Sequence, residues 1–157
     1  MLDAARRRLA DAPRERLGEY TLPRKVLGVG RAPRIIPVGE AWHLGALLLT
    51  GDGLLATGEI VRAREDVRRG FTAESQRERA ARAAAARRGG FAEGEIVHVG
   101  WTRIDLDAVA RGDPSGPVAT VAGVPSIRWS RSGPYTPLAG YLDERVSLLL
   151  HPPAGAT

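Results

Sequence analysis

The chain has 157 residues, the usual size of one domain. This length is enough to bury a hydrophobic core that needs no disulfide or structural metal. It contains no cysteine, so disulfides, thiolate metal sites and a cysteine nucleophile are excluded. Its longest apolar run falls far short of the roughly 20 residues that span a bilayer, and the first residues lack the apolar core of a signal peptide. We therefore expect a soluble cytoplasmic protein with no membrane partner.

The net charge of +5 lies at the N-terminal end of the chain. Residues 1–34 contain nine basic and four acidic side chains, whereas the remaining residues contain 14 of each. Such asymmetry is typical of an arginine-rich surface helix, or of an arm that binds an anionic partner such as nucleic acid. The scarcity of aromatic side chains for base stacking favours the surface helix. The candidates for anion binding are Arg6, Arg7, Arg8, Arg14, Arg16, Arg24 and Lys25.

Helix-forming residues fill positions 2–10 and place three apolar side chains on one face, namely Leu2, Ala5 and Leu9. Pro13 is expected to end this helix or to open a second short turn through Leu17. Prolines and glycines then predict an irregular, extended lead-in over residues 21–34, followed by a short strand over residues 34–38.

A central hairpin is predicted where two apolar runs meet at Gly51-Asp52-Gly53, because an Asp-Gly pair between such runs is a strong hairpin signal. The first arm, residues 44–49, is apolar on consecutive positions, which indicates a strand covered on both faces. Two registers stay open at this stage. A two-residue turn places His43 opposite Arg62, whereas a three-residue turn places Trp42 there.

A helix follows the hairpin, with Thr72 as its predicted N-cap and Gly89 as the positive-φ residue that ends it. Glu78 and Arg82 form an i to i+4 pair in the stabilising order. Because the buried stripe consists of short side chains, the helix should lie close to its neighbour and contribute little apolar area. The stripe is predicted to contain Ala73, Ala80 and Ala84, with Ala81 at its margin.

Three further elements precede the C-terminus: an alternating strand over residues 95–102, a helical turn over residues 105–111, and a second hairpin around Gly123. An amphipathic helix then begins with Thr136 as its cap and ends before Pro152. Its apolar face is predicted to carry Leu138, Tyr141, Leu142, Val146 and Leu149.

Together these elements predict an α+β fold: an antiparallel or mixed sheet of about five strands, built on the central hairpin, with two main helices packed on it. The predicted organisation is a basic N-terminal helix and extended lead-in over residues 1–34, a single α+β domain over residues 35–151, and a loose tail over residues 152–157.

Two histidines are candidate catalytic residues. If the strands that carry His43 and His98 are neighbours, the two imidazoles could converge with Glu59 or Glu95 as a metal site or an acid and base pair. The spacing matches no motif, and the pattern favours the alternative of hydrogen-bonded structural histidines.

The tryptophans are candidates for a ligand pocket, because each lies at the end of a predicted strand. Tryptophan beside arginine can wall a pocket through a cation–π contact, whereas an indole that closes the end of a core is the interpretation that the pattern favours. The pocket candidates are Trp42, Trp101, Arg103 and Trp129.

The chain contains no Gly-x-Ser-x-Gly elbow, no Ser-x-x-Lys pair and no phosphate-binding loop. The run from PVGEAWHLGALLL, residues 37–49, to ARRGGFAEGE, residues 86–95, resembles small uncharacterised proteins of high-GC bacteria, some of which carry the label glutaminase. This resemblance covers most of the chain from Pro37 and implies no functional residue.

We predict a non-enzymatic cytoplasmic binding or self-assembly domain, because no catalytic motif occurs and the last helix has a broad apolar face. Leu148 and Leu150 widen that face, so a homo-oligomer would form through the C-terminal helix. Two alternatives stay open: a small-ligand enzyme of hydrolase type that uses His43 and His98, and a nucleic-acid-binding protein that uses the basic N-terminal segment. No cofactor and no metal is predicted.

Overall fold

The computed structural model describes residues 1–21, 32–65, 73–130 and 132–153. Helices in these ranges are α1 (Leu2–Arg8), α2 (Glu74–Gly89), α3 (Leu106–Arg111) and α4 (Leu138–Leu150). The strands are β1 (Glu15–Thr21), β2 (Arg34–Leu44), β3 (Leu47–Leu49), β4 (Leu54–Ala56), β5 (Glu59–Arg62), β6 (Ile96–Val99), β7 (Thr102–Arg103), β8 (Val118–Val121), β9 (Val124–Ile127) and β10 (Thr136–Pro137).

The strands form a mixed sheet of seven and a second sheet of three. β1 and β6 are parallel, whereas β5 and β6 are antiparallel. The predicted α+β class is therefore confirmed, although the main sheet is larger than the five strands expected. None of the helices in the described ranges has the length and apolar character that a membrane span requires.

The chain divides into two compact units. We call residues 1–14, 41–57 and 101–157 the leucine unit, and residues 15–40 and 58–100 the alanine unit, after the side chains that dominate their helix packing. A compact unit is not the same as a domain that folds independently. The domain boundaries predicted at residues 34 and 151 therefore stay a prediction.

Where the sequence predicted one turn in the hairpin, the leucine unit contains two successive turns. β3 and β4 pair across Gly51-Asp52-Gly53, as expected, but the first arm reverses again at Gly45, where φ is +68°. Both predicted registers are therefore wrong: His43 lies opposite Leu48 and Trp42 lies opposite Leu49. The reversal at Gly45 was missed because a single glycine inside an apolar run gives only a weak turn signal.

Large aliphatic side chains fill the core of the leucine unit. All three residues of β3 are buried, which confirms for residues 47–49 the expectation of a strand covered on both faces, whereas Gly45 and Ala46 form a turn. α1 contributes Ala5, and Leu9, the residue directly after the helix, is buried on the same predicted face. α4 contributes Leu138, Tyr141, Leu142 and Val146 to the same core.

The predicted end of α3 is confirmed, whereas the predicted N-cap of α4 is wrong. The helical turn predicted over residues 105–111 is observed as α3: Asp105 caps it by accepting a hydrogen bond from the Ala108 backbone N–H at 2.9 Å, and Gly112 ends it in the left-handed region. Thr136 does not cap α4, because it belongs to β10 and pairs with Ile127 of β9. The predicted hairpin around Gly123 is confirmed as β8 and β9.

The alanine unit carries β5, β6 and β1 in that order, followed by residues 34–40 of β2. β1 was missed by the sequence analysis, which assigned its first residues to a turn. The strand is short of apolar residues because Gly18 occupies a core position: a Cβ there would lie 2.5 Å from the side chain of Ile35. The core of this unit consists of Ile35, Val61, Ala63, Ala85, Ala86, Phe91, Val97 and Val99.

α2 differs from its prediction at both ends. Thr72, the expected cap, lies outside the described residues, and Gly90 rather than Gly89 takes the left-handed conformation that ends the helix. Ala84 is buried and Ala80 is half-buried, as predicted, whereas Ala73 and Ala81 are exposed and the buried stripe continues through Ala85 and Ala86.

Candidate functional site

The outer edge of β5 is open. β5 is the terminal strand of its sheet, and it pairs with β6 through register partners such as Val61 and Val97. Ala63 donates its N–H to the Glu95 carbonyl at 2.9 Å and accepts from the Gly94 N–H at 2.8 Å. Because alternate residues of an antiparallel strand bond to the same neighbour, the backbone groups of Ile60 and Arg62 point away from β6.

The backbone of helix α2 forms a hydrogen bond at this edge. The Arg64 N–H, the next outward group along the chain, donates to the carbonyl of Ala83 at 3.2 Å. In the described part of the chain, no backbone hydrogen bond reaches the outer edge at Ile60 or Arg62. Ile60 is 52% exposed and Arg62 is also exposed, so both residues at this edge face solvent.

A groove of about 1160 Å³ opens between β5 and α2. Such a volume is slightly above the range of typical small-molecule pockets, and the groove is open rather than enclosed. It is lined by Glu59, Ile60, Val61, Arg62, Arg64, Glu65, Gln76, Arg79, Ala80, Arg82, Ala83, Glu93 and Gly94.

The sequence of α2 explains why the groove exists. The C-terminal half of the helix presents alanines to the sheet, and it approaches so closely that a Cβ on Gly89 would lie 1.5 Å from the Ile35 carbonyl oxygen. The N-terminal half, residues 74–79, is polar and exposed. Ala80 and Ala83 project only methyl groups, so the space beside β5 is left unfilled.

An ion-pair network joins β5 to α2 beside the groove. Arg82 donates to Glu59 at 2.8 Å and to Glu78 at 3.1 Å. The pKa of Arg82 is raised above its ordinary value, first by the hydrogen bond to Glu59. Burial raises the pKa of Tyr20, and the nearby Glu59 carboxylate raises it further. At neutral pH the Tyr20 hydroxyl therefore stays protonated beside this pair.

The groove lining contains four arginines and three glutamates, so it has an excess of positive charge. Glu93 accepts a hydrogen bond from the Glu65 N–H at 2.9 Å, and the carboxylates of both residues lie 3.8 Å from Arg87. Arg64 and Arg79 are exposed and form no ion pair within the described ranges.

The two candidate histidines occupy different units. His98, on β6 of the alanine unit, is fully buried, and its Nε2 lies within hydrogen-bond contact of a Glu15 carboxylate oxygen. His43, on β2 in the leucine unit, is half-buried, with its Nε2 2.9 Å from the Gly45 carbonyl oxygen. Convergence of the two imidazoles stays a prediction.

The two candidate glutamates have different roles. Glu59 lies on the groove and binds Arg82, as described above. Glu95 accepts a hydrogen bond from the Ala92 N–H at 2.7 Å and lies 3.8 Å from Arg16. It therefore stabilises the turn that precedes β6.

The pocket candidates are dispersed over the leucine unit. Trp42 is buried, donates its indole N–H to the Ala12 carbonyl at 3.1 Å, and is covered by the Arg14 guanidinium at 4.2 Å from the ring centre. Trp101 is half-buried, Trp129 is 57% exposed, and Arg103 is ion-paired with Asp52 at 3.2 Å.

Most of the basic candidates that the structure describes are engaged within the protein. Arg6 donates to the carbonyls of Thr50 and Gly53, and Arg8 is ion-paired with Asp143. Arg7 is exposed. Arg24 and Lys25 lie outside the described residues, and nucleic-acid binding stays a prediction.

The groove itself was missed by the sequence analysis. The available signals were the loss of apolar residues after Val61, which suits an edge strand, and the alanine-rich helix, which suits close packing. Neither signal places the helix beside the strand, since that placement depends on contacts between residues far apart in sequence.

No protein-family model, curated protein or solved structure matches this chain. The resemblance to bacterial proteins labelled glutaminase therefore stays a prediction, and the functional argument depends on the geometry of the groove.

Proposed function

We propose that this protein is a non-enzymatic binding domain that takes up an extended segment of a partner polypeptide as an additional strand beside β5. The observation that carries the proposal is the open edge at Ile60 and Arg62, which faces a groove walled by α2. Main-chain hydrogen bonds to such an edge supply affinity, and side chains of the incoming strand enter the adjacent groove.

The size of the site limits the ligand. β5 has four residues, which corresponds to roughly 13 Å of strand, so about four residues of ligand can pair with it. An interface of this size is at the small end of specific protein contacts, and we expect a Kd on the order of 10 μM.

The position of α2 favours an isolated extended segment, rather than a second copy of the protein, as the ligand of β5. Two copies joined edge to edge through antiparallel β5 strands are related by a two-fold axis, which places the same face of both sheets on one side. Each copy would then bring its own α2 towards the groove of the other. An isolated extended segment brings no such helix.

Self-association through α4 is a separate part of the proposal. Leu148 and Leu150 are 40% and 37% exposed, and Leu149 is half-buried. Sedimentation of the wild-type protein and of a Leu148→Glu/Leu150→Glu variant tests it. A concentration-dependent dimer that the variant abolishes supports this interface, whereas a monomer at all concentrations contradicts it.

A hydrolase that uses His43 and His98 is the second candidate function. The contact between His98 and Glu15 favours it, because a carboxylate that orients an imidazole is a common arrangement in general-base catalysis. The full burial of His98 opposes direct contact with a substrate. Ammonia release from glutamine, measured for the wild type and for His98→Gln and His43→Gln variants, tests this candidate. Activity that both variants lose would support it.

A proline substitution tests the strand-docking proposal. Selection from a random heptapeptide library displayed on phage supplies the peptide, and calorimetric titration measures its affinity. Ile60→Pro removes an outward N–H that β6 does not use, so the fold should persist while affinity falls at least tenfold, by about 1.4 kcal/mol. Ile60→Thr keeps the N–H and should bind within about threefold of the wild type, a difference of ~0.7 kcal/mol.

The control measurements decide what a loss of binding means. Circular dichroism must show that both variants retain the wild-type content of strand and helix. If the library yields no binding peptide, or if folded Ile60→Pro binds as tightly as the wild type, the strand-docking proposal is wrong. If peptides fail to bind and sedimentation shows a dimer that Ile60→Pro disrupts, β5 pairs with a second copy instead.

A further inference from the structure

We infer that the segment bound beside β5 carries a carboxylate side chain, and that Arg64 and Arg79 form the subsite that binds it. This inference rests on the proposed function, because it names the chemical class of ligand for the same groove. It follows from the position of the two arginines, from the pairing of the groove's glutamates, and from the composition of the groove walls.

The backbone brings the two arginines to the same part of the groove. The hydrogen bond from the Arg64 N–H to the Ala83 carbonyl fixes Arg64 next to one turn of α2. Arg79 lies four residues before Ala83, so the two residues share a helix face one turn apart. Both arginines line the groove, one from the strand side and one from the helix side.

The glutamates of the groove are occupied elsewhere. Glu59 accepts a hydrogen bond from Arg82. Glu65 and Glu93 lie beside Arg87, and Glu93 also accepts a backbone N–H. Within the described part of the chain, Arg64 and Arg79 are the groove arginines that form neither an ion pair nor a side-chain hydrogen bond.

A carboxylate complements this arrangement. A guanidinium binds a carboxylate through two parallel N–H···O bonds, and two guanidinium groups on facing walls can hold one carboxylate between them. Among the described residues, no aromatic side chain lines the groove, so a stacked nucleobase finds no platform on them. An extended polypeptide that carries an acidic residue therefore complements both the open edge of β5 and the positive charge of Arg64 and Arg79.

The test compares the wild type with an Arg64→Gln/Arg79→Gln variant in two steps. Heptapeptide selection is expected to enrich aspartate or glutamate on the wild type and to lose that enrichment on the variant. A selected peptide is then synthesised with glutamate and with glutamine at the acidic position. The glutamate peptide should bind the variant about 5- to 20-fold more weakly, whereas the glutamine peptide should change less than about twofold.

An Arg7→Gln/Arg77→Gln variant is the matched control. It removes the same charge from two exposed positions outside the groove, and it should bind the glutamate peptide as the wild type does. A similar loss in this control would assign the effect to net charge and overturn the subsite. Raising the salt concentration should weaken the glutamate peptide more than the glutamine peptide.

The outcomes separate this inference from the proposed function. Peptides that bind at β5 without any preference for acidic residues overturn the carboxylate subsite and leave strand docking intact. The absence of any bound peptide overturns both. A phosphoserine peptide that binds more than tenfold better than its glutamate counterpart, with the same dependence on Arg64 and Arg79, would replace the carboxylate by a phosphate as the ligand group.

Discussion

The leucine unit and the alanine unit solve the same packing problem in opposite ways. In the leucine unit, α4 packs through long side chains such as Leu142 and Val146, which fill the space beneath it. In the alanine unit, α2 packs through Ala85 and Ala86. It lies so close to the sheet that its Ala83 carbonyl accepts a hydrogen bond from the Arg64 backbone N–H. Long side chains cover neighbouring strands, whereas short ones allow close approach at one end and leave a groove at the other.

The largest expected effect is that one substitution has opposite signs in the two units. Gly89→Ala in α2 should destabilise the protein by ~3 kcal/mol or more, because its Cβ would lie 1.5 Å from the Ile35 carbonyl oxygen. Gly140→Ala in α4 should stabilise it by about 0.5–1 kcal/mol, because no atom lies within 4 Å and alanine is the better helix former.

Urea denaturation of both variants and the wild type measures these free energies of unfolding. The two substitutions add the same methyl group to a helical glycine, so each controls for helix propensity in the other. If Gly89→Ala were also neutral or stabilising, close backbone approach would not be what holds α2 to its sheet.

A smaller effect is expected from a buried hydroxyl in the leucine unit. The Tyr141 hydroxyl accepts from the Ala46 N–H at 2.8 Å and donates to the Leu44 carbonyl at 3.0 Å, so it satisfies both sides of the turn at Gly45. Tyr141→Phe leaves these groups unpaired and should cost about 1–3 kcal/mol in urea denaturation. Tyr135→Phe, at a half-buried position, should cost less than ~0.5 kcal/mol. Equal costs would show that the turn is held by other contacts.

The smallest effect is expected at the surface of the leucine unit. Hydrogen bonds from Thr50 and then Arg103 hold the pKa of Asp52 below its ordinary value of 3.8. Because the folded pKa is lowered, the carboxylate adds stability above pH 3.8, and this contribution is lost as the pH falls through the folded pKa. Titration of Asp52 by NMR should show a larger rise in pKa for Thr50→Val than for Arg103→Gln. The reverse order would make the ion pair the main cause.

Local signals predicted most elements of the leucine unit. Asp105 and Gly112 mark the ends of α3, and the spacing of Leu138, Tyr141 and Leu142 identifies the buried face of α4. These features depend on residues within a few positions of each other. The turn at Gly45 was not predicted, because its hydrogen bonds come from Tyr141, which is 95 residues away from Ala46.

The alanine unit was predicted less well, since its strands and helix carry weak local signals. β1 contains Gly18 where a strand would normally present an apolar side chain, and the space is filled by Ile35 and Val97 from other strands. The candidate site was missed for the same reason. Glu59 was named as a candidate from sequence, but the groove arginines Arg64 and Arg79 were not.

The sequence by itself determined the α+β class, the hairpin at Gly51-Asp52-Gly53 and the amphipathic face of α4, because turn chemistry and side-chain periodicity act within a few residues. The tertiary structure alone decided that β5 is an edge strand and that the backbone of α2 accepts a hydrogen bond from Arg64, just beyond that strand. Strand order and helix placement depend on how distant segments share buried surface, and a groove is the space that such packing leaves open.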